Sequence, residues 1–335
     1  MSKLRAAVIG LGVGEEHIAG YEAHPDCEVV AICDLSAERL AEVGERHPEL
    51  RRTDRPDELL RDPEVDVVSV ASYDDAHFEQ VKTALEHGKH VFVEKPLCLH
   101  ESEAEQIHAL LREHSGLRLS SNLPLRASPR FVLLREMIER GDLGDIYYLE
   151  GDYDYGRLQK ITEGWRGDLD YYSVVLGGAV HMVDLLLWLT GDRVKRATAA
   201  GNQIASRGTK FRFPDLVVGT LELEGGAIAK VSANFGCVHP HFHGVKVFGT
   251  EGTFINGLDQ ATVWKRVDGA PESTAIDLPY PGITKSDLIP SFVDSIVGNG
   301  PARVSAEEVL ATMAACFAME RALEDRAPVE VKGFV

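Results

Sequence analysis

Leu4-Arg5-Ala6-Ala7-Val8-Ile9-Gly10-Leu11-Gly12-Val13-Gly14 opens the chain with an apolar run and a glycine turn, and an amphipathic stretch from Glu15 to His24 follows. The spacing predicts strand, turn and helix. A second apolar run, Glu28-Val29-Val30-Ala31-Ile32-Cys33, ends in Asp34, 24 residues beyond Gly10. That order predicts the first βαβ unit of a dinucleotide-binding domain. Gly10 makes the tight turn, Gly12 and Val13 let the backbone approach a pyrophosphate, and the helix N-terminus offers N–H groups to it. Asp34 is placed to accept the ribose hydroxyls. The third glycine of a strict G-x-G-x-x-G is due at position 15, but the chain has Glu15 there and Gly14 one residue early. A carboxylate at Asp34 repels a 2′-phosphate and favours NAD, whereas the nearby Arg39 can accommodate NADP.

Two further strands follow at helical spacing, Val65–Ala71 and Val91-Phe92-Val93, the second ending in Glu94-Lys95-Pro96. Between them, apolar residues at 78, 81, 84 and 85 give Ala76 to Glu86 a helical period. Alternation of this kind predicts a parallel sheet with crossover helices. Ligands bind such sheets outside the carboxyl ends of the strands, so Ser72, His77, Glu94 and Lys95 are expected to face the cofactor. From residue 145 onward the pattern changes to alternating strands over Asp145–Tyr155, Arg193–Ala200, Leu216–Glu224, Ala227–Phe235, Val245–Phe248, Thr253–Asn256 and Ala261–Lys265. Helices are expected at Lys285–Val297 and Ser305–Leu323, the latter opened by a Ser305…Glu308 capping box. The expected class is α/β, with a Rossmann domain over 1–121. An α+β domain over 122–335 carries a large, mostly antiparallel sheet for substrate binding and oligomerisation. One open sheet face suggests a homo-oligomer, dimer or tetramer.

The run Val70-Ala71-Ser72, His77 and Ala84-Leu85-Glu86-His87-Gly88-Lys89-His90-Val91-Phe92-Val93-Glu94-Lys95-Pro96 resembles the Gfo/Idh/MocA family of dehydrogenases, and the likeness covers nearly the whole chain. The resemblance implies oxidation or reduction of a secondary alcohol on a sugar, sugar nucleotide or cyclitol with NAD or NADP. It implies that Lys95 binds the reacting oxygen and that the Lys95–Pro96 bond is cis. Gly177-Gly178-Ala179-Val180-His181-Met182-Val183-Asp184 resembles the family segment that carries a catalytic His, with an acid three residues on. The family's Asp four residues before that His is Gly177 here, and Tyr171-Tyr172-Ser173 stands where small residues are usual. Trp165-Arg166 with Asp168 is similar to the family's Trp-Arg-x-Asp. Asn122 and Arg126 resemble polar positions around the substrate, where an Arg suits a phosphate, a carboxylate or a sugar nucleotide. Tyr153, Tyr155, Trp165 and Arg166 lie in a polar-aromatic stretch fit to stack on a sugar ring.

The chemistry follows without the family. Removing a hydride from a secondary alcohol requires a base for the hydroxyl proton, and His181 is the expected acid/base. Lys95, an ammonium beside the same oxygen, stabilises developing alkoxide charge. Asp184, one turn past His181, is placed to orient it. Two alternatives use the same fold: a redox-neutral, NAD-assisted glycosidase and a non-catalytic dinucleotide-binding regulator.

Cys237, His239, His241 and His243 alternate, as side chains on one strand face do, and form a metal candidate. Pro240 argues for an irregular connection, and hydride transfer needs no metal. The favoured reading is therefore a substrate-facing His241 or His243 with no metal. Five scattered Cys without a C-x-x-C pair suggest reduced thiols and a cytoplasmic setting. A net charge of −18 disfavours nucleic acid and anionic membranes as partners.

Overall fold

The computed structural model describes residues 3–334. They form two compact units, one from the chain up to Pro124 together with Ile283–Leu310, the other from Leu125–Gly282 together with Ala311–Gly333. The linear division at 121/122 therefore leaves out a returning segment. The chain comes back to the first unit because apolar residues of 288–293 have partners there: Ile289 closes against Gly20, and Phe292 meets Phe92 at 5.6 Å between ring centroids.

The first unit is a six-stranded, all-parallel sheet of β1 (Leu4–Ile9), β2 (Cys27–Cys33), β3 (Arg51–Thr53), β4 (Val67–Val70), β5 (His90–Val93) and β6 (Leu119–Ser121), in the order β3-β2-β1-β4-β5-β6. Helices α1 (Glu15–Glu22), α2 (Ala37–Arg46), α3 (Pro56–Leu60), α4 (His77–Glu86) and α5 (Glu101–Glu113) make the crossovers. The central strands are apolar almost throughout because helices cover both faces; Val67, Val68, Val70, Val91, Phe92 and Val93 have no exposed surface. The strand order reverses beside β1. Backbone bonds run on past the strand ends there: Ala71 N–H donates to Ile9, Glu94 to Val70 and Asn122 to Val93, at 2.7, 2.8 and 2.8 Å. They set the residues after β1, β4, β5 and β6 side by side along one edge, where such sheets bind ligands.

The second unit is built on nine strands: β7 (Ile146–Asp154), β8 (Val194–Asn202), β9 (Leu216–Leu223), β10 (Ile228–Asn234), β11 (Phe242–Gly249), β12 (Gly252–Asn256), β13 (Ala261–Val267), β14 (Ala270–Ile276) and β15 (Val329–Glu330). Their order is β14-β13-β12-β11-β7-β10-β9-β8-β15, and only the β7–β10 pair is parallel. Helices α6 (Pro129–Glu139), α7 (Gln159–Thr162) and α8 (Val180–Thr190) complete it, with most of the final helix, Ala306–Asp325. Leu149, Gly151 and Tyr153 of β7 turn to one face, as a period of two requires. Helix α8 crosses that face at the glycine: a Cβ on Gly151 would lie 3.0 Å from Met182 and 3.2 Å from Leu186. The opposite face carries ionic pairs, Lys230 with Asp152 and Lys246 with Glu150.

Most expected strands are present with ends shifted by one to three residues. Strand β14 was not expected, since Ala270–Ile276 is almost wholly exposed and lacks apolar alternation. Its signal is Asp268-Gly269, whose positive φ values of 50° and 86° form the two-residue hairpin turn between Val267 and Ala270. The helix expected from Lys285 begins at Ile289, because Pro290 suits a first turn and no later position. The capping box holds: Ser305 N–H donates to Glu308 and Glu308 N–H to Ser305 Oγ. Among the described residues no helix is long and apolar enough to cross a membrane.

Candidate active site

The glycine turn of the first unit is a tight piece of packing with one open place. Gly10 has φ +87° and sits against the backbone of Ala71 and Ser72, and a Cβ on Gly14 would run into the Gly10 carbonyl oxygen and lie 3.0 Å from Val8. Gly14 thus does the close-packing work of the third glycine from one position earlier. At Gly12 a Cβ would meet nothing within 4 Å, and Gly12 and Val13 are exposed at the start of α1. This is the cradle a pyrophosphate needs, and Glu15 beside it is neutralised by Arg46 at 2.7 Å. Asp34 accepts from the backbone N–H of Leu11 at 2.7 Å and of Ser36 at 2.8 Å, which pins its carboxylate next to the turn. Arg39 is exposed and lies 3.6 Å from Glu42.

Beneath Lys95 lies a buried polar network that the sequence reading did not contain. Glu94 Oε1 accepts from Asn122 Nδ2 at 2.7 Å and is 3.4 Å from His17 Nε2. His17 Nδ1 in turn bonds Ser69 Oγ at 2.8 Å, and Asn122 Nδ2 also donates to the Lys285 carbonyl at 3.0 Å. Burial alone would raise the Glu94 carboxyl. The charge of Lys285, the His17 hydrogen bond and the charge of Lys95 outweigh it and hold Glu94 well below the usual carboxylate range. Asn122 Oδ1 is buried with no protein hydrogen-bond partner. The open cradle and the anchored Asp34 fit a nicotinamide dinucleotide. The signal for His17 was a histidine on the helix face that buries Ile18 and Tyr21; Lys285 had none, being distant in sequence.

Lys95 is half-buried, and the Lys95–Pro96 bond is cis. His77, expected to face the cofactor, is instead fully buried. Its Nδ1 lies 2.7 Å from the Pro96 carbonyl and its Nε2 3.2 Å from that of Ser72, so it braces the turn that carries Lys95. Ser72 donates to Gln80 at 2.8 Å.

In the second unit, His181 stands at the start of α8 behind a π-helical turn, Val175–Ala179. Its buried ring stacks on Tyr153 at 5.8 Å between centroids, with 19° between the planes, and meets His243 edge-on at 6.2 Å. Tyr153 also contacts Tyr155, Phe235, His241 and His243, so His181 belongs to an aromatic and imidazole cluster. Gly178 makes this possible: a Cβ there would lie 2.7 Å from both the Phe235 and Tyr153 rings. At Gly177 a Cβ would collide with the Tyr172 hydroxyl. The Tyr at 172 and the Gly at 177 are therefore one packing solution, and a larger residue at 177 requires a smaller one at 172.

Two expected substrate contacts are corrected. Arg126 and Asp184 are 2 % and 1 % exposed and bond to each other, Arg126 Nη2 to Asp184 Oδ1 at 2.6 Å and Nε to Oδ2 at 3.0 Å. They tie the start of the unit to α8 because a buried guanidinium needs a carboxylate. Tyr155 lies in the cluster against Phe235 at 4.5 Å, and Arg166 lies 4.4 Å over the Trp165 ring in a short 3-10 turn. Of the alternating quartet, His241 and His243 join the cluster. Cys237 donates to the Asn234 carbonyl, and the half-buried His239 packs on Phe242. Among the described residues, the only three potential ligands that converge are Glu22, His47 and Glu49, at the surface.

A parallel sheet of this order, with an open glycine turn after β1 and an anchored acid after β2, defines a dinucleotide-binding Rossmann domain. Residues 4–122 match the oxidoreductase family with an NAD-binding Rossmann fold, and residues 131–255 match the GFO/IDH/MocA C-terminal domain, so the chain belongs to the Gfo/Idh/MocA family of NAD(P)-dependent oxidoreductases. It is similar to myo-inositol 2-dehydrogenase of Thermotoga maritima, 25 % identical over 98 % of this chain and 99 % of that one. It is also similar to 1,5-anhydro-D-fructose reductase of Ensifer adhaerens, 27 % identical over 96 % of each. The fold matches scyllo-inositol dehydrogenase from Lactobacillus casei, solved with NAD(H) and scyllo-inositol, with a TM-score of 0.81 at 20 % identity over 98 % of this chain and 99 % of that one.

Proposed function

We propose that this chain is a dehydrogenase that oxidises, or in reverse forms, one secondary alcohol of a sugar, sugar derivative or cyclitol, with NAD preferred over NADP. The observation that carries the proposal is the buried His181 ring, stacked on Tyr153 and edge-on to His243 within a cluster of aromatic and imidazole rings. Bound NAD supplies the hydride acceptor. Lys95 binds the reacting oxygen and stabilises its developing negative charge, and His181 takes the hydroxyl proton as the carbinol carbon becomes a carbonyl. Gly10, Gly12, Val13, Gly14 and Asp34 hold the dinucleotide. Relatives that act on inositols and on an anhydro sugar support a polyhydroxylated substrate.

The test is tryptophan fluorescence titration with NAD and NADP, then absorbance of the reduced nicotinamide across sugars, sugar phosphates, sugar nucleotides and inositols, with Lys95→Ala alongside. Turnover that disappears in the variant is the expected result. Dinucleotide binding with no redox change on any compound would move the reading to the redox-neutral glycosidase or the regulator, and no dinucleotide binding at all would sink it.

A further inference from the structure

We propose that His243 is a second acid–base group of this site, sharing with His181 the proton that leaves the substrate hydroxyl; the inference rests on the dehydrogenase reading above. His243 is 9 % exposed and lies in β11 opposite Tyr153 of β7. Polar groups from three other segments hold it in place. Tyr280 Oη lies 2.7 Å from its Nδ1 and accepts from its backbone N–H at 3.1 Å. Asn256 of β12 donates to its carbonyl at 2.9 Å. Arg130 of α6, 4 % exposed, donates to Asn256 Oδ1 at 3.0 Å and lies 5.2 Å over the Tyr280 ring. The Tyr280 hydroxyl thus fixes the ring at Nδ1, while Asn256 holds the backbone of His243 and Arg130 holds Asn256 and Tyr280.

The Tyr280 hydroxyl has the property that a proton carrier needs in its partner. It reaches His243 Nδ1 at 2.7 Å and the His243 carbonyl at 3.5 Å. When Nδ1 lacks a proton, the hydroxyl donates to it. When Nδ1 is protonated, the ring donates to the hydroxyl oxygen, and the hydroxyl proton turns toward the carbonyl. Burial raises the pKa of Tyr280, which keeps the phenol intact in both states. His243 can thus be neutral or cationic without losing its hydrogen bond.

In the proposed step the alcohol O–H bond breaks and a His181 N–H bond forms, while the carbinol hydrogen leaves with its electron pair for NAD, which is reduced. That His181 N–H bond then breaks as the proton passes to Nε2 of His243, whose first proton stays on Nδ1, directed at Tyr280. In reduction the proton returns by the same route. The titratable and charged groups around it are His181 from α8, His241 ahead of the strand, Tyr153 from β7, Tyr280, and Arg130 behind Tyr280.

The test uses the full chain with His243→Gln and Tyr280→Phe. In the protein without cofactor, ring-nitrogen NMR follows the histidine titrations. The expected result is that His243→Gln shifts the His181 titration and that Tyr280→Phe changes the tautomer of His243. Kinetics on any substrate found for the wild type should show kcat about 100-fold lower in His243→Gln with KM little changed, and one ionisation missing from the pH profile. An unmoved His181 titration, or a wild-type pH profile in His243→Gln, overturns the proposal. If the wild type itself turns over nothing, the dehydrogenase reading fails and this proposal falls with it as catalysis, whereas the NMR result reports separately whether the two rings are coupled.

Discussion

Arg126 Nε donates to both oxygens of Asp184, at 3.2 and 3.0 Å, one helical turn beyond His181. Thr312 adds a hydroxyl at 3.4 Å. The pair is nearly solvent-free, so its two halves depend on each other. Asp184→Ala leaves a buried cation without its carboxylate and should cost about 3–5 kcal/mol in denaturant unfolding. Arg126→Met combined with Asp184→Leu should recover most of that loss. A double variant as unstable as the single one would show that the pair matters for something other than charge compensation.

The glycines of the first turn should separate folding from binding. Gly14→Ala drives a methyl group into the Gly10 carbonyl and is expected to lower the thermal midpoint clearly. Gly12→Ala meets open space, so the protein should fold normally and bind NAD at least tenfold more weakly, because the methyl group takes the place of the approaching pyrophosphate. Normal NAD affinity in Gly12→Ala would place the dinucleotide elsewhere.

Asp34 is held by two backbone N–H groups and lies beyond the second strand, where a ribose hydroxyl would donate to it. Asp34→Ala removes a charged hydrogen bond worth about 1.5–3 kcal/mol, so NAD should bind roughly ten- to hundredfold more weakly. NADP should lose far less, since its 2′-phosphate no longer meets the carboxylate. Isothermal titration with both cofactors checks this, and equal losses would remove Asp34 from cofactor choice.

Acid should unfold the first unit in two stages. Burial, together with the charge of Arg118, pushes the His90 imidazole down to about 4, and its Nδ1 accepts from the Arg118 N–H. The unfolded chain therefore binds that proton first as pH falls below about 6.5. His90 contributes full stability above that pH and loses it as the pH approaches 4, about 2 kcal/mol after allowance for partial exposure. Glu94, held low by Lys285 and His17 against its own burial, is ionised in the fold at all ordinary pH. Its contribution is present above the normal carboxylate range and declines only below about 4.5. Unfolding free energy measured against pH should lose the first slope in His90→Gln and the second in Glu94→Gln. Unchanged slopes in both variants would exclude these groups as the source.

Much of the fold was legible because it rests on local patterns. Apolar runs ending in Gly10, Asp34 and Glu94 announce strands buried on both faces, and the Ser305…Glu308 box announces its helix from four residues. Where local signals were weak or went unread, elements were missed. Strand β14 is a polar edge that only its Asp268-Gly269 turn betrays, and Pro290 marks a first turn that shortens a helix.

The sequence by itself determined the Rossmann domain, the glycine turn, and the candidacy of Lys95 and His181, because each depends on residues within one or two elements. Only the tertiary structure decided the partners of those residues. Lys285 lies 191 positions from Glu94, Asp184 turned to Arg126, and His243 came to rest beside His181. Such pairings follow from how buried charges and rings find one another once distant segments are brought together, and no short-range pattern in the chain encodes them.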